Sequence, residues 1–142
     1  MTIARLLERR SGAVITCDSS QPVRAAVAQL AERRIGAMPV LCGGTLAGIF
    51  SERDVIYRLH DEGESVLDRP VEAVMTAPAL TVEPGTEVLE ALSLMTERRV
   101  RHLPVVQGGT MVGFISIGDL VKYRIDRIES EAQAMRSYIQ MA

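Results

Sequence analysis

Ser51 with Asp54, and again Ser116 with Asp119, are the side chains whose type and spacing suit ligand chemistry. A Ser-x-x-Asp pair at a helix start sets a hydroxyl beside the free amides and positive dipole end, which favour an anion. The same spacing is a variant of the capping box, which closes a helix start with no ligand at all. The two roles are compatible. Catalysis has weaker support: there is no carboxylate cluster, no Cys-His arrangement and no Walker loop. His60 and His102 lie far apart, and Cys17 and Cys42 have no partner at metal-ligand spacing. The sequence reading is therefore no enzyme, no catalytic residues and no metal site, with the cysteines as small strand fillers.

The two pairs belong to two copies of a longer motif, 65 residues apart by Pro39 and Pro104. Aligned without a gap, Val14–Leu59 and Ala79–Arg124 are identical at 14 of 46 positions. Duplication explains this, and a repeat fixes architecture before any other signal. Each copy opens on a β-like run, Ala13–Cys17 or Ala79–Val82. Helical spacing follows in Val23, Ala26, Val27, Leu30 and Ala31, and in Val88, Ala91, Leu92 and Met95. Glu32-Arg33-Arg34 and Glu97-Arg98-Arg99 end these helices with cations at the negative dipole end. Strands Ala37–Leu41 and His102–Val106 come next, then Gly43-Gly44 and Gly108-Gly109 turns. Return strands Leu46–Phe50 and Met111–Ile115 lead to second helices starting at Ser51 and Ser116. The order is β-α-β-β-α, twice. Pro39 and Pro104 cannot donate to a ladder, so their strands are expected at an edge or with an unpaired position that a ligand could use.

At 142 residues each half is marginal alone, so the halves should share a core. Hydrophobic content of 47% and charged content of 24% are those of a globular protein. Net charge of −2 and five aromatics give no nucleic-acid footprint. No apolar run nears the roughly 18 residues of a membrane span, and the first residues have no signal-peptide core. The expectation is a cytoplasmic protein with no membrane and no nucleic-acid partner. The domain boundaries read as 1–60 for the first repeat with an N-terminal helical segment, 61–78 for a polar connector, 79–125 for the second repeat and 126–142 for a helical extension. Val121, Ile125, Ile128, Ala132, Met135 and Ile139 form an a/d seam on a long C-terminal helix from Ile117. Such a seam either folds back on its own domain or pairs with a second subunit.

Taken together and in duplicate, these elements resemble the CBS domain, named after cystathionine beta-synthase. The resemblance rests on Ile15-Thr16 and Leu80-Thr81, on Pro39-Val40 and Pro104-Val105, on the Gly-x-x-Ser-x-x-Asp turns at Gly48–Asp54 and Gly113–Asp119, and on Val74-Met75-Thr76. It covers Val14–Leu59, Ala79–Ile125 and the linker between, as in a stand-alone tandem pair (a Bateman module). It implies an α+β fold of two β-α-β-β-α repeats packed sheet to sheet with pseudo-twofold symmetry, two clefts, and a homodimer. Ligands implied are adenine compounds, AMP first, with ADP, ATP, NAD(H) and S-adenosylmethionine as others. Ser51 and Ser116 would meet phosphate, and Asp54 and Asp119 would hold ribose; an ionised carboxylate has two acceptors for a diol. Thr16 and Thr81 would fix the base. The backbone of Gly36, Ala37 and Met38 before Pro39, and of Arg101, His102 and Leu103 before Pro104, would read the adenine edge. The copies differ: the first turn has Arg53 where the second, Ser116-Ile117-Gly118-Asp119, has Gly118, and Arg101-His102 replace Gly36-Ala37. Arg53 is thus a phosphate candidate for the first cleft, and Arg101 and His102 for the second, with unequal affinities expected. The function implied is a regulatory module that senses adenine nucleotides and passes its state to an unidentified downstream protein. The alternative is a structural dimerisation module with degenerate, non-binding clefts.

Overall fold

In the computed structural model, which describes residues 1–10 and 12–141, the two copies fold alike. A short helix α1 (Ile3–Glu8) precedes the first copy, which comprises β1 (Cys17–Asp18), α2 (Val23–Arg33), β2 (Ala37–Cys42), β3 (Thr45–Ser51) and α3 (Glu52–Glu62). Two 3-10 turns, Gly63–Asp68 and Val71–Ala73, lead to the second copy: α4 (Val88–Arg98), β4 (His102–Gln107), β5 (Thr110–Ser116) and α5 (Ile117–Met141). The fold is mixed α+β with two small sheets, β1-β2-β3 and β4-β5, and β3 touches β5 where the halves meet.

Local chemistry sets these elements. Val23, Ala26 and Leu30 are the buried stripe of α2, and Val88, Ala91 and Met95 that of α4. Both helices end on an arginine in the left-handed region, Arg34 at φ 52° and Arg99 at φ 54°. Positive φ at both central glycines (58° and 82° for Gly43-Gly44, 58° and 79° for Gly108-Gly109) matches a type I′ hairpin turn.

The opening strands are shorter than the sequence suggests. Only Cys17–Asp18 forms β1, pairing in parallel with Val40 and Leu41, and the second copy keeps a single bridge, Val82 to Val105. The prolines explain this: Val82 N donates to the Pro104 carbonyl and Val106 N to Val82 O, so pairing starts at the proline's carbonyl, and the position whose N–H would extend it back is the proline itself. β2 is the middle strand of its sheet rather than an edge, and Pro39, in register with Ile49 of β3, lacks a partner only on the β1 side. Opposite Pro39, Ile49 turns its N–H and carbonyl to Thr76 at 3.0 and 2.8 Å, so the missing donor orphans nothing there.

The lead segments are exchanged between the copies. Val23 N donates to Arg69 O, and Val71 N and Glu72 N donate back to Gln21 O and Ser19 O. In the second copy the N-terminus supplies the same bonds: Val88 N to Met1 O, Ile3 N to Thr86 O and Ala4 N to Pro84 O. Each core follows this pattern. Ile3 and Leu6 of α1 are buried with Val88, Met95, Leu103, Ile115 and Leu120 of the second copy. Val66, Val71 and Val74 of the connector, read from sequence as polar, are buried with Met38, Val40 and Phe50 of the first.

Candidate functional site

Both Ser-x-x-Asp pairs fold as capping boxes. Ser116 N donates to Asp119 Oδ2 at 2.8 Å, and Asp119 N donates to Ser116 Oγ at 3.2 Å. Ser51 N donates to Asp54 Oδ2 at 2.9 Å, with the Ser51 hydroxyl 3.2 Å from the same oxygen. The first helical amides are also bonded: Glu52 N to Gly36 O at 3.0 Å and Ile117 N to Arg101 O at 2.8 Å. So the helix starts are largely satisfied, and an anion at α5 would find the amide of Gly118 rather than a full ring of free donors.

The carboxylates part company at their outer oxygens. Asp54 Oδ1 accepts the Thr76 hydroxyl at 3.0 Å, so both its oxygens are engaged. Asp119 Oδ2 meets Arg10 Nη2 at 3.3 Å, while its Oδ1 has no partner among the described residues. Asp119 is the one with an acceptor to spare.

Asp119 and Ser116 open onto a cleft of about 440 Å³, within the range of small-molecule sites. The cleft is built across the copies. Val14, Ile15, Gly36 and Ala37 form its wall from the first copy. His102, Val112 and Phe114 join Ser116 from the second, and Leu7 and Arg10 close it from the N-terminal segment. His102 stacks on Phe114 with centroids 5.5 Å apart and planes 12° from parallel. Burial holds the His102 imidazole below its usual 6.5, against the pull of Asp119 and Glu52, and Arg101 adds to the lowering. A neutral, stacked imidazole and a phenyl ring beside apolar Val14 and Ile15 make a surface for a flat aromatic group, with polar acceptors at one end.

Five of the sequence candidates thus share one cleft: Gly36, Ala37, His102, Ser116 and Asp119. The others lie elsewhere. Thr16 gives way to its neighbours Val14 and Ile15, and its carbonyl accepts from Gln29. Thr81 lines a separate groove with Glu83, Glu90 and Glu97. Met38, Pro39, Leu103 and Pro104 are buried, the first and third as core residues, and Ile117 packs on the second core. Arg53 donates to the Arg99 carbonyl at 3.1 Å, bridging to the end of α4. Arg101 and Gly118 are exposed and do not line the cleft, and neither do Ser51 and Asp54. Cys17 is buried, and burial with the Asp18 charge pushes its thiol up to about 11, as befits a strand filler.

Sequence reasoning missed Arg10, Val14, Ile15, Val112 and Phe114. Strand alternation would have found two of them, because Val112 and Phe114 share a face with Ser116. Arg10 lies outside the aligned repeat and left no signal. It donates to the Phe114 carbonyl as well as meeting Asp119.

Comparison with known proteins agrees with this architecture. The CBS domain family model matches residues 9–61 and 71–126. The mitochondrial CBS domain-containing protein CBSX3 of Arabidopsis thaliana is 36% identical over 134 residues, 91% of this chain and 65% of that protein, so the chain spans about two-thirds of its relative. A protein with CBS domains from Burkholderia ambifaria MC40-6 superposes with TM-score 0.83 at 40% identity, over 89% of this chain and 95% of that one. The structure of CBSX2 in complex with AMP shares the fold, with TM-score 0.74 at 24% identity over 88% of this chain and 96% of that one.

Proposed function

The chain belongs to the CBS-domain family, and from that premise we propose that it is a regulatory module that binds an adenine nucleotide in the Asp119 cleft, AMP before ADP, ATP, NAD(H) or S-adenosylmethionine. The observation that carries this is the placement of Asp119. Its Oδ1, without a partner among the described residues, suits a ribose diol, and it stands at one end of a cleft whose walls are His102, Phe114, Val14 and Ile15. The bound AMP of the related CBSX2 structure supports the choice of ligand. The module regulates rather than catalyses, and ligand binding acts by favouring one arrangement of two halves, or of two subunits, over another. The state passes to a downstream protein partner.

Calorimetry of ligand-stripped protein against AMP, ADP, ATP, NADH and S-adenosylmethionine tests this. Saturable binding near one site per chain is expected, because Asp54 is already filled by Thr76. Asp119→Ala should lower the affinity at least tenfold, and Asp54→Ala should leave it within about threefold. Equal losses from both substitutions would contradict a single Asp119 site. No heat from any ligand would favour the second reading, a structural dimerisation module with non-binding clefts. That reading draws on the two complete capping boxes and on the exposed apolar face of α5.

A further inference from the structure

We propose that Arg10 selects the phosphorylated form of the cleft's ligand: it holds Asp119 Oδ2 and the Phe114 carbonyl beside the open Oδ1, and a phosphate is what draws it away. This deepens the nucleotide-site reading and rests on it. Arg10 holds two groups at once, Asp119 Oδ2 at 3.3 Å and the Phe114 carbonyl. Both belong to the cleft, and both are acceptors suited to the donors of an adenosine, its hydroxyls and its amino group. Arg10 therefore sets a positive charge at the Asp119 end of the cleft.

The other copy shows what a fixed closure looks like. There Thr76 stands in the same relation to the strand and the carboxylate: its N–H bonds the Ile49 carbonyl at 2.8 Å and its hydroxyl bonds Asp54 at 3.0 Å. Thr76 is neutral, short and tied into the strand ladder. Arg10 follows α1 on irregular backbone and reaches its acceptors through a long side chain that is 46% exposed. An ion pair at that exposure is weakly held. A guanidinium binds phosphate bidentately, and more strongly than it binds one carboxylate oxygen near water. A nucleotide gives Arg10 a new partner as it takes Asp119. A nucleoside that takes both Asp119 oxygens must displace Arg10 and offers it nothing in return.

The test compares AMP with adenosine by calorimetry on ligand-stripped wild type, Arg10→Ala and Arg10→Lys. Wild type should prefer AMP at least tenfold. In Arg10→Ala the AMP affinity should fall about tenfold while adenosine binds equally or more tightly, so the preference collapses. Arg10→Lys should keep part of it, with charge but no fork. A thermal melt of each unliganded variant checks that folding is intact. An unchanged AMP-to-adenosine ratio in folded Arg10→Ala, with AMP still bound by wild type, would overturn the role of Arg10 alone. Wild type that binds neither compound would overturn the nucleotide site and this role with it.

Discussion

Two glycines at matching positions face different neighbours, and the difference sets what a methyl group would do there. A Cβ on Gly48 would lie 2.6 Å from the Thr76 carbonyl oxygen and 2.9 Å from Met75 Sδ; on Gly113 it would lie 2.8 Å from the two Cδ atoms of Leu7. The first obstacle is backbone held by the Ile49 ladder, and the second is the end of a flexible side chain. Gly48→Ala should therefore cost about 1–3 kcal/mol of stability, in the overpacking range, and Gly113→Ala under about 1 kcal/mol. Urea denaturation of both variants checks the order; equal losses would mean that Leu7 is as fixed as the Thr76 backbone. These glycines were legible as repeat-matched positions, but the reason for them was not. The same holds for the Ser-x-x-Asp pairs. Their helix-start role followed from spacing, whereas only the three-dimensional neighbours, Thr76 at Asp54 and Arg10 at Asp119, separate a filled carboxylate from an available one.

At the scale of elements, the helices and hairpins were legible because each buries its own periodic stripe and turns on its own glycines. The exchange of lead segments was not, because it joins residues about 50 positions apart in the first copy and 80 or more in the second, with no local signal. Ile3 of α1 is fully buried in the second core, and Val71 takes the matching place in the first. The six-residue α1 cannot be stable alone, so its order comes from that burial. Ile3→Ala should then lower global stability by about 2–5 kcal/mol, the range for emptying a packed aliphatic site. It should do so in one cooperative transition seen alike by circular dichroism and by protection of β4 and β5 amides. Loss of protection in α1 alone, with β4 and β5 unmoved, would show that α1 is an ornament on the second core. The same exchange explains why the site mixes copies. Arg10 hangs from the segment that α1 anchors on the second half, which brings it to Asp119 rather than to Asp54.

For the whole molecule, the near-symmetry of the two halves ends at α5. α3 has 11 residues and α5 has 25, about 37 Å of helix, and most of the extra length has no core beneath it. The seam read from sequence does not fold back: Val121, Ile125, Ile128, Met135 and Ile139 are 43–65% exposed. Ile56 and Tyr57 of α3, the matching helix, are exposed as well. An apolar stripe of this length on a helix otherwise rich in charge is the pattern of a helix awaiting another helix. A second copy meets the requirement with the fewest assumptions, because a twofold contact uses the same stripe on both sides. Ile125→Glu with Met135→Glu should then convert the chain from dimer to monomer in sedimentation equilibrium at micromolar concentration. Stability against urea at low protein concentration should barely change, since neither side chain belongs to either core. Wild type sedimenting as a monomer over the same range would leave the stripe for the downstream partner. In that case the partner would cover α5 directly, and a nucleotide in the Asp119 cleft would act on it through the first turn of the same helix.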